Sequence, residues 1–561
     1  MNPTGRLLHF RSAVDGREHP VALCATDDSP APKPLIVELS PSAHRNLPRA
    51  VSQAESLARI AARHGRSCVV LRPTGRGGGS VYQNYGEVDV CEAIEFAASL
   101  YAIDRERILL TGASMGGAAC WYLVSHYPDR FAAAAPFCGY CDYRLWRKPG
   151  GGLAVPMQEW EEPSLRSRSA VFLLENFAHT PVWIVHGEWD RAVGGGVPVE
   201  QSRQMARLLA ERGFRPTYTE VPKTGHACRS RAGELPGNVP PRLKPPTAPE
   251  QERELAELLE RVVLWLLDQR KPRDVDHVAF ATFGLRHPRS YWVEVGGLAR
   301  YGERGLVDAR FAAPDRLEVR TEGVRAFALG PVRHRGRASV AVDGQELGAA
   351  NFGGRVEFTA GPDGRWRRGG AAVPGTKRHA CSGPIGDLCF DGLVLVPGTT
   401  GSDEETFHAA TLAGFVPRFF RERNGGVNRG GKDGDNAVEL PVIADRDLTA
   451  EARGANNLLL LGRPASNAVL ARYADRLPLA FADGEIRLAG RTYAAPRVAV
   501  FAIFPHPENP ARYVAVHGGV TPDAICWGSG LNLQLLPDFL VYAEDRVLEW
   551  GFWDHAWQRQ S

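Results

Sequence analysis

The nonapeptide Leu109-Leu110-Thr111-Gly112-Ala113-Ser114-Met115-Gly116-Gly117 constrains this chain more than any other stretch. An apolar run enters Gly-x-Ser-x-Gly, and a helical pattern follows at once from Ala118 to Val124. A strand that turns directly into a helix can hold a serine at its apex only on a sharp bend. Gly112 and Gly116 leave space where β-carbons would crowd that bend. The bend lifts the Ser114 hydroxyl clear of the backbone and aims the following N–H groups at the same point. Ser114 is therefore the candidate nucleophile, and the Met115 backbone N–H the candidate first oxyanion donor. With 60 glycines in 561 residues the pattern alone recurs by chance, so the strand before it and the helix after it carry the argument.

The surrounding sequence keeps the same rhythm. Residues 9–24 read as an antiparallel opening about Asp15-Gly16, and strands are expected at 34–39, 67–71, 107–110, 131–138, 181–185 and 216–221. Helices are expected at 49–63, 88–100, 198–212 and 250–269. This alternation predicts a mostly parallel sheet covered on both faces, within a first domain spanning residues 1–272. Working groups in such sheets collect beyond the carboxyl ends of the strands. Asp190 lies just past the 181–185 strand and His226 just past the 216–221 strand, which gives the chain order Ser, Asp, His. A serine hydroxyl needs a base to take its proton, which His226 can do, and a carboxylate such as Asp190 can hold the imidazole and stabilise its cation. Glu188 competes with Asp190 for that role from two positions away.

These residues resemble the prolyl-oligopeptidase-like branch of the α/β-hydrolases and the related polyhydroxybutyrate-depolymerase-like esterases. The resemblance runs through Tyr82, Gly86-Glu87-Val88-Asp89-Val90, Ile103-Asp104, Arg107-Ile108, Gly112 to Gly117, His186-Gly187, Asp190 and Gly225-His226. It implies an α/β-hydrolase fold with Ser114 as nucleophile, Asp190 as acid and His226 as base. The expected activity is that of a serine carboxylesterase working through an acyl-enzyme, on acylated polysaccharide or polyester among other esters. A prolyl-oligopeptidase-like peptidase is the alternative, followed by a polymer-binding protein whose hydrolase domain is retired. Two departures stand out. Where the family reads His-Gly after the third strand, this chain reads Ser40-Pro41-Ser42-Ala43-His44. Proline has no N–H to donate, so the second oxyanion donor is expected from Ser42. Gly194-Gly195-Gly196-Val197 also lengthens the loop beside Asp190, which is expected to be mobile.

His44, Trp146, Trp160 and Trp189 are the candidate pocket residues, the middle two lying in an insertion from Asp142 to Leu174 that reads as a lid or wall. Gly75-Arg76-Gly77-Gly78-Gly79 lacks the Gly-Lys-Ser/Thr ending of a phosphate loop and is expected to be a flexible loop near the site. Gly233 to Pro249 reads as an extended surface loop. Cys138 and Cys141 form a C-x-x-C without a second pair or histidine set, so loop thiols or an incidental disulfide are expected and no metal site.

After Lys271-Pro272-Arg273 the pattern changes. Short alternating runs predict an antiparallel β-domain with a Gly-rich connector over 273–384, and a smaller α/β unit over 385–561. No nucleotide fingerprint appears and no cofactor is expected. A net charge of +3 without dense Lys/Arg runs argues against nucleic acid as a partner. No apolar run reaches the roughly 18 residues of a membrane span, so no membrane partner is expected. The expected partner is a small or polymer-borne ester, with homo-oligomerisation through the C-terminal half as a further expectation. The chain as written reads as cytoplasmic, or as secreted if a leader has been removed.

Overall fold

Three apolar strand runs in the first half show the same division of side chains between two faces. Leu35, Val37 and Leu39 pack into one core while Ile36 packs into another, and Val69/Leu71 against Val70 and Leu110 against Leu109 divide likewise. This is why those runs are apolar throughout instead of alternating: both faces of the sheet are covered. The structure, a computed structural model, describes residues 3–40, 47–76, 81–146, 157–190, 196–228, 249–370, 375–423, 440–544 and 546–560. Its first sheet comprises β1 (Arg6–Arg11), β2 (Glu18–Ala25), β3 (Lys33–Leu39), β4 (Val69–Pro73), β5 (Ile103–Ala113), β6 (Ala133–Phe137), β7 (Trp183–Gly187) and β8 (Thr217–Val221). The strand order is β1-β2-β4-β3-β5-β6-β7-β8. The pairs β1–β2 and β2–β4 are antiparallel, and the pairs from β4 through β3 to β8 are parallel. Helix α1 (Leu47–Arg63) and the helix Pro249–Asp268 cover one face, and α2 (Tyr85–Leu100) and α3 (Met115–His126) the other.

Two five-stranded sheets follow, built from strands between His277 and Arg368 and packed around Phe280, Phe327, Phe352 and Phe358. Their pairings are antiparallel except one, where Arg316–Val319 runs parallel to Ser339–Val342. The stretch expected to be a connector contributes an edge strand, Trp366–Arg368, because Trp366 carries its indole into the sandwich core. In the third part, Leu393–Pro397, Asn457–Leu461 and Tyr513–Gly519 lie parallel, with Val498–Pro505, Phe539–Ala543 and Arg546–Gly551 added antiparallel. A three-stranded meander, Leu479–Ala494, is also present and was not signalled by the alternation of the sequence. Among the described residues no helix is long and apolar enough to cross a membrane.

The first two parts meet on a buried carboxylate. Glu87 on α2 is 1 % exposed and accepts from the Tyr122 hydroxyl at 2.7 Å, from Tyr127 and from the His287 ring of the sandwich. Burial alone would raise its pKa, but the His287 and tyrosine contacts outweigh that and lower it from 4.5 to about 2. A depressed carboxylate pKa contributes stability above the unfolded value that is lost as the pH falls through the folded one. Glu87→Gln is expected to cost about 3 kcal/mol near neutrality, because it breaks a buried pair. Its deficit in thermal denaturation relative to wild type should shrink as the pH falls from about 4.5 to about 2. A deficit that stays constant across that window would show that Glu87 acts through shape and not charge.

Candidate active site

The bend at Ser114 depends on three close approaches. A β-carbon on Gly112 would lie 2.4 Å from the Leu39 carbonyl oxygen, one on Gly116 1.8 Å from the same atom, and one on Gly117 2.4 Å from the Phe137 carbonyl oxygen. The start of α3 therefore sits directly on the ends of β3 and β6, and only glycine permits it. Ser114 adopts φ 58°, in the left-handed region that L-residues avoid, and its N–H donates to Phe137 O at 2.9 Å. Met115 opens α3, so its N–H is one of the first-turn donors that the helix itself leaves unused.

The partners come from the ends of β7 and β8, which are fastened together. Glu188 N–H donates to Val221 O at 3.0 Å and Trp189 N–H to Thr224 O at 2.9 Å. Gly187 is again required by contact, since a β-carbon there would lie 2.3 Å from Gly225 O. The result is a continuous chain in which Ser114 Oγ lies 2.8 Å from His226 Nε2, and His226 Nδ1 lies 2.8 Å from Asp190 Oδ2. Glu188, the competing carboxylate, instead accepts from the Lys223 N–H at 2.8 Å. Asp190 is 1 % exposed, and its Oδ1 accepts from Val197 N–H at 3.0 Å. Burial raises the Asp190 pKa, but hydrogen bonds from His186 and His226 outweigh it and hold the carboxyl below its ordinary range. His226 is only partly buried, which leaves one side of the imidazole open to solvent or substrate.

The sequence signalled no role for His186, which makes three contacts here. Its Nε2 lies 3.1 Å from Asp190 Oδ2 and 3.0 Å from Val197 O, and its Nδ1 lies 2.7 Å from Ser202 Oγ. Its sequence signals were its place in the family resemblance and its position four residues before Asp190 in His-Gly-x-x-Asp, neither of which gives it a role. Cys138, Asp190 and His226 also present ligand atoms within 4.8 Å of one another. Two ligands on a tetrahedral zinc stand roughly 3.3 Å apart, given bonds of about 2.0 Å. The 2.8 Å separation of His226 and Asp190 is that of a hydrogen bond, not of a shared ion. The C-x-x-C does not pair either. Cys138 Sγ faces Cys228 Sγ at 4.0 Å, whereas Cys141 Sγ contacts Gln201 O at 3.1 Å.

The other candidate residues divide between those outside the described residues and those within them. Pro41, Ser42 and His44 lie outside the described residues, as do Gly77 to Gly79, residues 191–195, the loop from Gly233 to Ala248 and the side chain of Trp146. Ser40 is described. Its N–H donates to the Tyr82 hydroxyl at 2.9 Å, which in turn donates to Ser40 O at 2.7 Å and so fixes the end of β3. Trp160 is half-buried against the core of the third part, because the insertion that carries it bridges to the C-terminal sheet. Trp189 is half-buried beside Asp190. The expected flexibility of Gly75-Arg76 is not found. Arg76 is fully buried among Asp15, Asp89 and Glu92, and Gly75 N–H donates to Asp89 Oδ2 at 2.7 Å. An apolar cluster that sequence reading missed adjoins Met115 and Val197. It contains Val81, Ala118, Tyr140, Tyr143, Leu165 and, from the C-terminal part, Leu535.

Residues 58–235 match the model of the prolyl oligopeptidase family. An uncharacterised secreted protein of Arthroderma benhamiae is 36 % identical over 124 residues, a match that spans 21 % of this chain and 12 % of that protein. Among solved structures, a thermostable esterase is 24 % identical over 48 % of this chain and 64 % of its own, with a TM-score of 0.33. An acylaminoacyl peptidase from Pyrococcus horikoshii is 17 % identical over 46 % of this chain and 41 % of its own, with a TM-score of 0.35. An arylesterase is 16 % identical over 47 % of this chain and 85 % of its own, with a TM-score of 0.34. The chain thus carries, over residues 58–235, a domain of the prolyl oligopeptidase family on an α/β-hydrolase sheet.

Proposed function

We propose that the protein is a serine hydrolase that cleaves carboxylic esters through an acyl-enzyme. The observation that carries this reading is the pair of 2.8 Å contacts linking Ser114, His226 and Asp190. His226 Nε2 takes the proton of Ser114 Oγ as that oxygen attacks the ester carbonyl carbon. Asp190 remains anionic and stabilises the imidazolium. The oxyanion that forms is met by the Met115 N–H, with Ser42 as the second donor. The tetrahedral intermediate collapses by breaking the bond to the alcohol, which leaves with the proton held by His226. Water then attacks the acyl-serine by the same route in reverse. Esters suit this site better than amides. An alkoxide is the better leaving group, and the oxyanion loop has Pro41 where another chain could supply an N–H. Residues 1–272 are read as the catalytic unit, with 273–384 and 385–561 as accessory units, and oligomerisation is assigned to the C-terminal half. Its site of action is either the cytoplasm or the outside of the cell, and the description of the fungal relative as secreted supports the second.

Hydrolysis of p-nitrophenyl acyl esters of increasing chain length, beside aminoacyl p-nitroanilides, tests the reading. Ester cleavage is expected to dominate, to vanish in Ser114→Ala, and to fall by roughly four orders of magnitude in Asp190→Asn. Dominant anilide cleavage would make the protein a peptidase, and cleavage of neither would leave a polymer-binding protein. Leu535→Ala addresses the C-terminal contribution. It should cost roughly 2–5 kcal/mol in thermal or denaturant unfolding, because it leaves a cavity in a buried cluster. It should also lower kcat across all chain lengths by loosening the support of Met115. Unchanged stability would show that the C-terminal part does not brace the site.

A further inference from the structure

His186 shares a carboxylate oxygen with the candidate base. Its ring, fully buried at the end of β7, directs Nε2 at Asp190 Oδ2 and at Val197 O, and both of these are acceptors. Nε2 must therefore carry a hydrogen. Nδ1 faces the Ser202 hydroxyl at 2.7 Å, on the helix Glu200–Glu211. A hydroxyl can donate to a bare nitrogen or accept from a protonated one, so the contact survives in either charge state of the ring. The oxygen that His186 reaches at 3.1 Å is the same Oδ2 that His226 Nδ1 reaches at 2.8 Å. We propose that His186, oriented by Ser202, is a positioning residue that shares Asp190 Oδ2 with His226 and so sets the basicity of the catalytic histidine. This rests on the serine-hydrolase reading above.

The physical argument concerns one pool of negative charge. Each N–H received by Oδ2 draws on the carboxylate that would otherwise stabilise the His226 imidazolium. Removing the His186 donor leaves Asp190 in place through Val197 N–H but concentrates its charge on His226, which becomes the stronger base. The remaining groups around the two rings do not change the sign. His186 is faced by Asp190, by the Cys138 thiol and by Glu220, its register partner on β8. His226 is faced by Asp190, Ser114 and Cys138. The hydrogen bond with Cys228, together with burial, keeps the Cys138 thiol well above its ordinary range, so it adds no charge. Glu220 is bound to Arg203. Burial works against a cation on His186, but the Asp190 contact outweighs it, and the ring's pKa lies above the ordinary value. Protonation of His186 would draw on Asp190 more strongly, in the same direction as the neutral N–H.

The test is the pH profile of kcat/KM on a p-nitrophenyl ester for wild type, His186→Leu, His186→Gln and Ser202→Ala, with folding checked by circular dichroism. The acid limb reports the essential base of the free enzyme. In His186→Leu that limb should move to higher pH by about half a unit or more, roughly a threefold change in proton affinity. The pH-independent plateau should fall about ten- to a hundredfold, as expected for a lost buried hydrogen bond. His186→Gln retains an N–H near Nε2 and should return the limb towards wild type. Ser202→Ala weakens the donor without deleting it and should shift the limb upwards by less. If His186→Leu does not fold, the Ser202→Ala profile decides. Folded His186→Leu or Ser202→Ala whose acid limb superimposes on wild type overturns the proposal, because a purely structural histidine would lower the plateau alone. A wild type that hydrolyses no ester and leaves Ser114 unlabelled by a fluorophosphonate overturns the functional reading, and this inference with it. Active wild type with unmoved limbs overturns this inference only.

Discussion

A carboxylate that is 1 % exposed must have its charge met inside the protein, and Asp190 dictates the loops around it. Left unpaired, such a group would cost several kcal/mol or give up its charge. Its own N–H closes a turn on Gly187 O at 3.1 Å, and its carbonyl receives Val199 N–H at 3.2 Å. Oδ1 is met by Val197 N–H and Oδ2 by two imidazoles. The strand ends that supply these donors must therefore lie side by side, and Gly187 permits the contact by lacking a β-carbon. One buried charge thus explains the turn after β7, the return of the chain at Val197, and the placing of His226.

The same logic operates where the three parts of the chain meet. Lys377 and Asp538 are both fully buried and paired, with the ammonium 4.0 Å from the centre of the Tyr301 ring of the sandwich. Asp538 Oδ2 also accepts from Trp553 N–H at 2.8 Å. A buried pair of this kind adds little net stability compared with apolar packing, but losing either partner strands the other. Such contacts tolerate one arrangement of the parts and penalise the rest. Glu87 and His287 do the same between the α/β sheet and the sandwich. These two junctions carry buried charge, beside apolar contacts such as that of Leu535 in the cluster with Tyr143, whereas each core is filled by apolar side chains.

What could be read from the sequence was local. The glycines at 112 and 116, the apolar runs of β3 to β7 and the ends of β7 and β8 are encoded within a few residues, so the bend and its two partners were legible. The environment of Asp190 was not, because His186 and Val197 converge on it, and Ser202 on His186, only when β7 and the following helix pack. Cys138 and Cys141 looked like a pair from spacing alone, yet the chain diverges after β6 and Cys138 meets Cys228 from 90 residues away. Trp160 looked like a pocket residue, because an aromatic in an insertion gives no sign of which core it will enter. Arg76 sat in a glycine-rich stretch that suggested mobility, whereas three carboxylates from distant positions bury it. In the second half the strands were visible but not their partition into two sandwich sheets, since strand pairing is a tertiary choice.

The segment between β4 and α2 shows why the C-terminal part cannot be treated as an appendage. Arg76, Val81, Tyr82 and Asn84 all hold φ between 49° and 58°. Non-glycine residues in that region cost of order 1–3 kcal/mol each, so the surroundings must hold them there. Tyr82 is held by Ser40. Gln83 donates to the Tyr143 hydroxyl, and Arg168 donates to both Gln83 and Asn84 while its other nitrogen reaches Gln534 O at 2.7 Å. The Asn84 amide donates to Gly386 O at 3.0 Å, and the Tyr85 hydroxyl reaches Asp391 O at 3.3 Å. Two of the restraints on Asn84 and Tyr85 therefore come from beyond residue 384. Tyr82 sits two residues before Asn84 and holds Ser40 at the end of β3. A costly backbone conformation, secured partly by the C-terminal part, thus adjoins the end of β3, and the C-terminal part is tied to the geometry of the first sheet.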